Sequence, residues 1–123
     1  MSVDFTVPVL VVDDYEPKVR ITRNLLNEMG FTNVYQATDG ATAFALMHHC
    51  RFGLVITDAE MSPISGYDLW QQVRKDSALK DTPFLMLTED GKRKTKAHSC
   101  NCIAKPLNAG ELKSKVQAVL GGN

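Results

Sequence analysis

Three short apolar runs constrain the fold of this sequence most: Val7–Val12, Gly53–Thr57 and Pro83–Thr88. Each is rich in Val, Ile, Leu or Met and lacks regularly alternating polar positions, which is typical of a strand that is buried on both faces. Segments with helical patterns separate the runs. Buried strands that are joined through helices predict an open parallel sheet between two layers of helices.

Nine elements are predicted in all. The strands are Val7–Val12, Asn33–Ala37, Gly53–Thr57, Pro83–Thr88 and Cys102–Ala104. The helices are Glu16–Met29, Gly40–His49, Tyr67–Lys75 and a last one that begins at Asn108. The first helix has Pro17 near its start and Gly30 just past its end, where these residues are common. Asn108 and Glu111 have the form of a capping box, with Asn in place of Ser or Thr.

The composition is that of one small domain. The chain has 123 residues and equal numbers of basic and acidic residues, 14 of each, so its charge does not favour a nucleic acid or an anionic membrane as a partner. No apolar run approaches the roughly 18 residues of a membrane span, and the N-terminus lacks the features of a secretory signal. The three cysteines, Cys50, Cys100 and Cys102, form no disulfide framework. We expect a single cytoplasmic domain over residues 1–123.

Polar side chains occur where the predicted strands end. Asp13 and Asp14 follow the first strand, and Asp58 follows the third. Thr88 ends the fourth strand, and Lys105 follows the fifth. Because the carboxyl ends of parallel strands meet at one edge of a sheet, where open sheets bind their ligands, we expect these five side chains to converge.

Three carboxylates at one place require a cation. Two carboxylates about 4 Å apart repel by roughly 4 kcal/mol at an effective dielectric constant near 20. Oxygen ligands with open positions suit Mg²⁺, and a carboxylate can attack a phosphoryl group. Thr88 and Lys105 would then stabilise charge on the transferred group. The pattern predicts a magnesium site that makes, holds and releases an aspartyl phosphate.

The same residues resemble the CheY-type receiver domain of two-component response regulators, over about Val7 to Leu120. Four features carry this resemblance: the acidic pair, Asp58 with Met61–Gly66 (Met-Ser-Pro-Ile-Ser-Gly) behind it, the threonine and the Lys-Pro pair. It implies a flavodoxin/CheY-like α/β fold, a doubly wound five-stranded parallel sheet of order 2-1-3-4-5. It also implies a phosphorylation-switched signalling protein, which is no enzyme beyond its own phosphorylation and dephosphorylation.

The resemblance also implies roles for individual residues. Asp58 would accept the phosphate from a histidine kinase or a phosphotransfer protein. The implied Mg²⁺ ligands are Asp13, Asp14, Asp58 and the backbone carbonyl of Glu60. Thr88 would follow the phosphate, and Lys105 would pair with it. With no output domain after its last helix, the chain would act by contact with a downstream protein.

Three side chains depart from the family pattern. Ser62 lies where the family usually has proline, with Pro63 one residue later. Glu89 follows Thr88, where a small residue is usual, and its charge is expected to slow phosphorylation. Cys102 lies where an aromatic residue usually takes part in the switch, and it is too small for that role.

The connection between Thr88 and Lys105 also differs from the family pattern, because it is shorter. Its 16 residues are fewer than is usual in the family, and its first part has no apolar stripe. We therefore expect the fourth helix of the family to be shortened or absent here. We expect Glu89–Asn101 to be a mobile loop that phosphorylation of Asp58 draws inward and partly orders, and that docks the downstream target.

Two other classes of function stay open at this point. The first is a receiver-like binding module that works without phosphorylation, through the basic run Lys92–Lys96 as a patch for an acidic partner or a nucleotide. The same run is also typical of a solvated loop. The second is a small Mg²⁺-dependent phosphatase of the haloacid-dehalogenase type, although the chain lacks the Asp-x-Asp that such enzymes carry after their first strand.

Overall fold

The computed structural model describes residues 3–89 and 101–121. Its five strands form one parallel sheet of order β2-β1-β3-β4-β5, which confirms the predicted fold. The strands are β1 (Val9–Val12), β2 (Val34–Ala37), β3 (Leu54–Asp58), β4 (Phe84–Thr88) and β5 (Asn101–Ala104). The helices within the described ranges are α1 (Glu16–Met29), α2 (Gly40–His49), α3 (Gly66–Arg74) and α4 (Ala109–Leu120).

The sheet separates two hydrophobic cores. Successive strand residues point to opposite faces, so Val9 and Val11 enter one core while Leu10 and Val12 enter the other. The first core also contains Val19 and Leu26 from α1, and Leu112 and Val116 from α4. The second contains Ala43 and Met47 from α2, and Leu69, Trp70 and Val73 from α3. Since each buried aliphatic side chain contributes about 1.5–3 kcal/mol, these two cores hold the strands in register.

Most element boundaries lie within two residues of their predictions. Both ends of α1 and α2 are as predicted. The strands β1 and β4 begin just after Pro8 and Pro83, which have no N–H to donate to a ladder. The third strand runs one residue further than predicted, so Asp58 belongs to it.

Helix caps explain the other boundaries. The third helix begins at Gly66 because Ser65 and Asp68 form a complete capping box, which the sequence analysis missed. At α4, the Asn108 side chain accepts a hydrogen bond from the Glu111 N–H at 2.8 Å. This is one of the two hydrogen bonds of the predicted capping box. The first helix ends at Gly30, whose φ of 120° is a conformation that L side chains rarely adopt.

Several expectations fall outside the described residues. These are the shortened or absent fourth helix of the family, the basic run Lys92–Lys96 and all but the two end residues of the predicted loop Glu89–Asn101. Of those two end residues, Asn101 begins β5. None of the four described helices has the length and apolar character that a bilayer crossing requires.

An ion pair joins α2 to the connection between α3 and β4. The His48 Nε2 atom lies 2.8 Å from Asp76 Oδ2, and its Nδ1 atom lies 3.0 Å from the Phe44 carbonyl oxygen. Both partners are acceptors, so both ring nitrogens donate and the imidazole is a cation in this arrangement. The hydrogen bond to Asp76 raises the pKa of His48, and the same bond lowers the pKa of Asp76.

This pair is expected to make stability depend on pH. The contribution of His48 is complete below its unfolded pKa of about 6.5 and is lost as the pH rises through the raised folded value. The contribution of Asp76 is present above its unfolded pKa of about 3.9 and is lost as the pH falls through the lowered folded value. His48→Ala should therefore lower the free energy of unfolding more at about pH 5.5 than at about pH 8.5, measured by urea denaturation.

His49→Ala is the matched control for that experiment. His49 makes the same type of bond, from Nδ1 to the Ala45 carbonyl oxygen at 3.0 Å, and has no ion pair within the described ranges. The effect of His48→Ala should depend on pH more strongly than that of His49→Ala, because Asp76 pairs with His48. An equal pH dependence in the two variants would contradict the role given to Asp76.

Candidate functional site

The strand register brings the predicted site residues to one edge of the sheet. Val12 pairs with Thr57 across β1 and β3, so Asp13 and Asp58 are the next residues along neighbouring strands. Thr88 pairs with Ala104 across β4 and β5, and the Lys105 N–H donates to the Thr88 carbonyl oxygen at 2.8 Å. Asp13, Asp58, Thr88 and Lys105 therefore lie at the same end of the sheet, as the ends of the predicted strands indicated.

Side-chain alternation sorts these residues between the two faces. Ile56 and Ile103 lie in the core under α1 and α4. Asp58, two residues further along β3 than Ile56, therefore has the same orientation, and Lys105, the residue after β5, reaches it with its ammonium group. Thr88 follows Leu87, which is in that core, so its side chain has the opposite orientation; it is fully buried. The Asp58 carboxylate and the Lys105 ammonium contact each other, and the Thr88 side chain lies on the opposite face of β4 from Leu87.

The three aspartates form a compact acidic cluster. One carboxylate oxygen from each of Asp13, Asp14 and Asp58 can be chosen so that all three lie within 4.8 Å of one another. Asp13 and Asp58 are buried, whereas Asp14 is exposed. Each accepts a hydrogen bond from a backbone N–H: Tyr15 donates to Asp13 Oδ1 at 3.0 Å, Ser62 to Asp14 Oδ2 at 3.4 Å, and Glu60 to Asp58 Oδ1 at 3.4 Å.

The environment of Asp13 opposes its ionisation. Burial raises the pKa of Asp13, and the negative charges of Asp58 and Asp14 raise it further. The hydrogen bond from Tyr15 and the charge of Lys18 act in the other direction without cancelling the effect. A buried carboxylate beside two others is costly without a positive charge, so the cluster is suited to a cation.

Lys105 places its ammonium group against this cluster. Its Nζ atom donates to Asp58 Oδ1 at 2.8 Å and lies 3.5 Å from Glu60 Oε1 and 3.5 Å from Glu89 Oε2. Burial alone would lower the pKa of Lys105, but the bond to Asp58 and the charges of the three carboxylates outweigh it and raise the pKa. The lysine is therefore held in its charged form.

Two features of the site were not predicted from the sequence. The Glu60 side chain faces Lys105, and the Glu60 N–H lies 3.4 Å from Asp58 Oδ1. Gly66 had been interpreted only as part of the motif. A Cβ atom at Gly66 would overlap the Asp58 carbonyl oxygen and lie 2.9 Å from Met86 Sδ, so only glycine allows the start of α3 to lie against the end of β3.

A cavity of about 370 Å³ opens beside the site. It lies between α1 and the connection from β5 to α4. Its lining residues are Asp13, Lys18, Ile21, Thr22, Leu87, Glu89, Lys105, Pro106 and Leu107. The cavity therefore offers an approach to the carboxylates and to Lys105 from the side of α1.

A parallel sheet of order 2-1-3-4-5, with an acidic cluster and a lysine at the carboxyl ends of its strands, defines a class of phosphate-accepting signalling domains. A family model described as the response regulator receiver domain matches residues 9–117. The chain belongs to this family. It is a receiver domain of two-component signalling and not a classical enzyme. Of the alternatives left open above, the family match favours the receiver over the phosphatase.

Named relatives agree with this assignment. The chain is 37% identical to the chemotaxis protein CheY of Pseudomonas aeruginosa over 116 residues, which cover 90% of this chain and 94% of that protein. Among solved structures, CheY4 of Vibrio cholerae is 31% identical with a TM-score of 0.85, over 94% of this chain and 99% of that one.

A third comparison supports the fold alone. The receiver domain of a sensor histidine kinase from Pseudomonas aeruginosa is 19% identical with a TM-score of 0.82, over 95% of this chain and 99% of that one. Its structure has a magnesium ion coordinated in the active site cleft.

Proposed function

We propose that Asp58 is the phosphoacceptor of this receiver domain. The observation that carries the proposal is the pair between the buried Asp58 carboxylate and Lys105, at 2.8 Å, inside a cluster of acidic side chains. The pair orients the carboxylate at the carboxyl end of β3 and sets a positive charge beside it. Asp13 and Asp14 have no comparable contact with a lysine ammonium in the described part of the chain.

The hydrogen bonds suggest which oxygen reacts. In the described ranges, Lys105 and the Glu60 N–H both donate to Asp58 Oδ1, which leaves Oδ2 for attack on phosphorus. A bond forms between Oδ2 and phosphorus while the bond from phosphorus to the donor breaks, and its electron pair leaves with the donor. Lys105 would pair with charge on the transferred group, and Thr88 would follow that group once it is attached. Hydrolysis of the acyl phosphate by water would return Asp58 to its free form.

The acidic cluster fits a magnesium ion. The implied ligands are Asp13, Asp14, Asp58 and the backbone carbonyl of Glu60. All four ligand atoms are oxygens, and the three carboxylates lie close enough together to bind one ion. When bound, Mg²⁺ would supply positive charge that offsets the carboxylates and stabilises charge on the phosphoryl oxygens. A magnesium ion is coordinated in the active site cleft of the sensor histidine kinase receiver domain, which has the same fold.

Magnesium is expected to stabilise the folded protein. At about ten times its dissociation constant, a ligand that binds only the native state adds roughly 1.4 kcal/mol to the free energy of unfolding. Asp14→Asn should weaken this gain and leave the metal-free protein at least as stable, because one of three repelling charges is removed. Thermal unfolding with and without millimolar MgCl₂ measures both effects. A melting temperature of the wild type that does not change with Mg²⁺ would contradict the metal assignment.

The phosphodonor of the proposal is a phosphohistidine on a kinase or a phosphotransfer protein in the cytoplasm. The cavity beside α1 leads to Lys105 and is a suitable approach for it. The output is a contact with a downstream protein near the segment Glu89–Asn101. A module that binds without phosphorylation is the alternative. Incubation with Mg²⁺ and acetyl phosphate, followed by localisation of the phosphate by mass spectrometry, distinguishes the two.

A further inference from the structure

The ammonium group of Lys105 faces three carboxylates at once. Asp58 lies 2.8 Å from Nζ, and Glu60 and Glu89 each lie 3.5 Å from it. An ammonium group has three N–H donors and no acceptor. Asp58 and Glu60 accept hydrogen bonds from Nζ, and Glu89 adds an ion pair, so three carboxylates share one ammonium group.

The three contacts differ in strength. The Asp58 side chain is only 4% exposed, and its contact is short, as expected for a charge-assisted hydrogen bond. The Glu60 and Glu89 side chains are 43% and 77% exposed and their contacts are longer. Because water screens exposed ion pairs, the pair with Glu89 is the weakest of the three.

A phosphoryl group on Asp58 would change this balance; the inference from here on rests on the proposed function. The single charge of the carboxylate is replaced by a group that carries close to two negative charges and new acceptor oxygens. A phosphoryl oxygen that binds Lys105 needs one of its three donors. The same oxygens repel Glu60 and Glu89, which remain negatively charged.

We propose that Glu60 and Glu89 compete with the phosphoryl group for Lys105, and that phosphorylation of Asp58 displaces the Glu89 carboxylate. Glu89 leaves first because, at the same distance of 3.5 Å, its side chain is the more exposed of the two, 77% against 43% for Glu60. It is also the first residue after β4, so its release changes the start of the connection to β5. The sequence led to the opposite expectation, an inward movement of Glu89, because the pair with Lys105 was not visible in it.

Competition for the lysine should slow phosphorylation. With Mg²⁺ and acetyl phosphate, Glu89→Gln should load phosphate about two to five times faster than the wild type, the factor that corresponds to one partly exposed ion pair. Glu60→Gln should also load faster. The matched control is Glu28→Gln, because Glu28 is an exposed acid near the far end of α1 and should not change the rate. Since salt screens exposed charges, the gain in Glu89→Gln should shrink as the ionic strength rises.

A double-mutant cycle separates competition from general repulsion. If Glu89 acts through the lysine, Glu89→Gln should have little effect in a Lys105→Ala background. If it only repels an anionic donor, the gain should persist there in full, and that result would overturn the inference. Titration with beryllofluoride and Mg²⁺ provides a measurement without phosphoryl transfer. Glu89→Gln should bind this phosphoryl mimic about two to five times more tightly than the wild type.

The results also separate this inference from the proposed function. No phosphate on Asp58 in any of these proteins would overturn the proposed function and the inference with it. Phosphate on Asp58 at equal rates in the wild type and Glu89→Gln would overturn the inference alone. Slower loading in Glu89→Gln would do the same, because the carboxylate would then assist the reaction.

Discussion

Asp58→Asn is expected to abolish phosphorylation of this protein by acetyl phosphate. The amide is not a nucleophile toward phosphorus, and it removes the negative charge that pairs with Lys105 at 2.8 Å. The wild type should gain one phosphoryl group in the presence of Mg²⁺, and the variant should gain none. Intact-protein mass spectrometry measures the gain, and peptide mapping locates it.

Asp81→Asn is the control for that experiment. Asp81 is an exposed carboxylate just before β4, at the opposite edge of the sheet, so its variant should load phosphate like the wild type. The phosphate on Asp58 should also be lost at high pH, as expected of an acyl phosphate. Phosphate retained in Asp58→Asn, on a serine or a histidine for example, would refute Asp58 as the acceptor.

Gly66→Ala is expected to be the most destabilising small substitution near the site. The new Cβ atom would overlap the Asp58 carbonyl oxygen and approach the Ala59 Cα atom to 3.0 Å, so backbone atoms must move. Overpacking of this kind costs about 3 kcal/mol. For a domain of this size, that loss lowers the melting temperature by about 10 °C. Phosphorylation should slow as well, because the shift moves the end of β3.

Gly110→Ala is the matched control for that substitution. Gly110 also lies in the first turn of a helix, α4, but a Cβ atom there would meet only the Asn108 Oδ1 atom, at 3.5 Å, which is an ordinary contact. Since alanine favours helix by up to about 1 kcal/mol over glycine, this variant should be as stable as the wild type or more so. Equal melting temperatures for Gly66→Ala and the wild type would contradict the close approach of α3 to β3.

The strands of the sheet were predictable because a strand that is buried on both faces has a continuous apolar sequence. A strand such as Leu54–Asp58 needs an unbroken apolar run, and the run ends where the carboxylate begins to face the site. Its last residue was placed outside the strand because a single aspartate after an apolar run reads as a loop. The capping box of Ser65 and Asp68 was missed although its residues stand in the sequence, since the motif residues around them were interpreted only as part of the site.

The sequence by itself determined the alternation of strands and helices, and therefore which edge of the sheet carries the polar residues. Parallel strands all end on the same side, so Asp13, Asp58 and Lys105 had to lie at the same end of the sheet. Local chemistry also determined the ends of α1, because proline and glycine act on their own part of the backbone.

Only the tertiary structure decided which side chains surround Lys105. The contacts of Glu60 and Glu89 with its ammonium join residues that are 45 and 16 positions away along the chain. They depend on the orientation of each side chain and on distances of a few ångströms. No periodicity or spacing encodes such distances, because they result from how the two cores position β3, β4 and β5 against one another. The same holds for Gly66, whose need for a missing Cβ atom appears only when α3 is set against the end of β3.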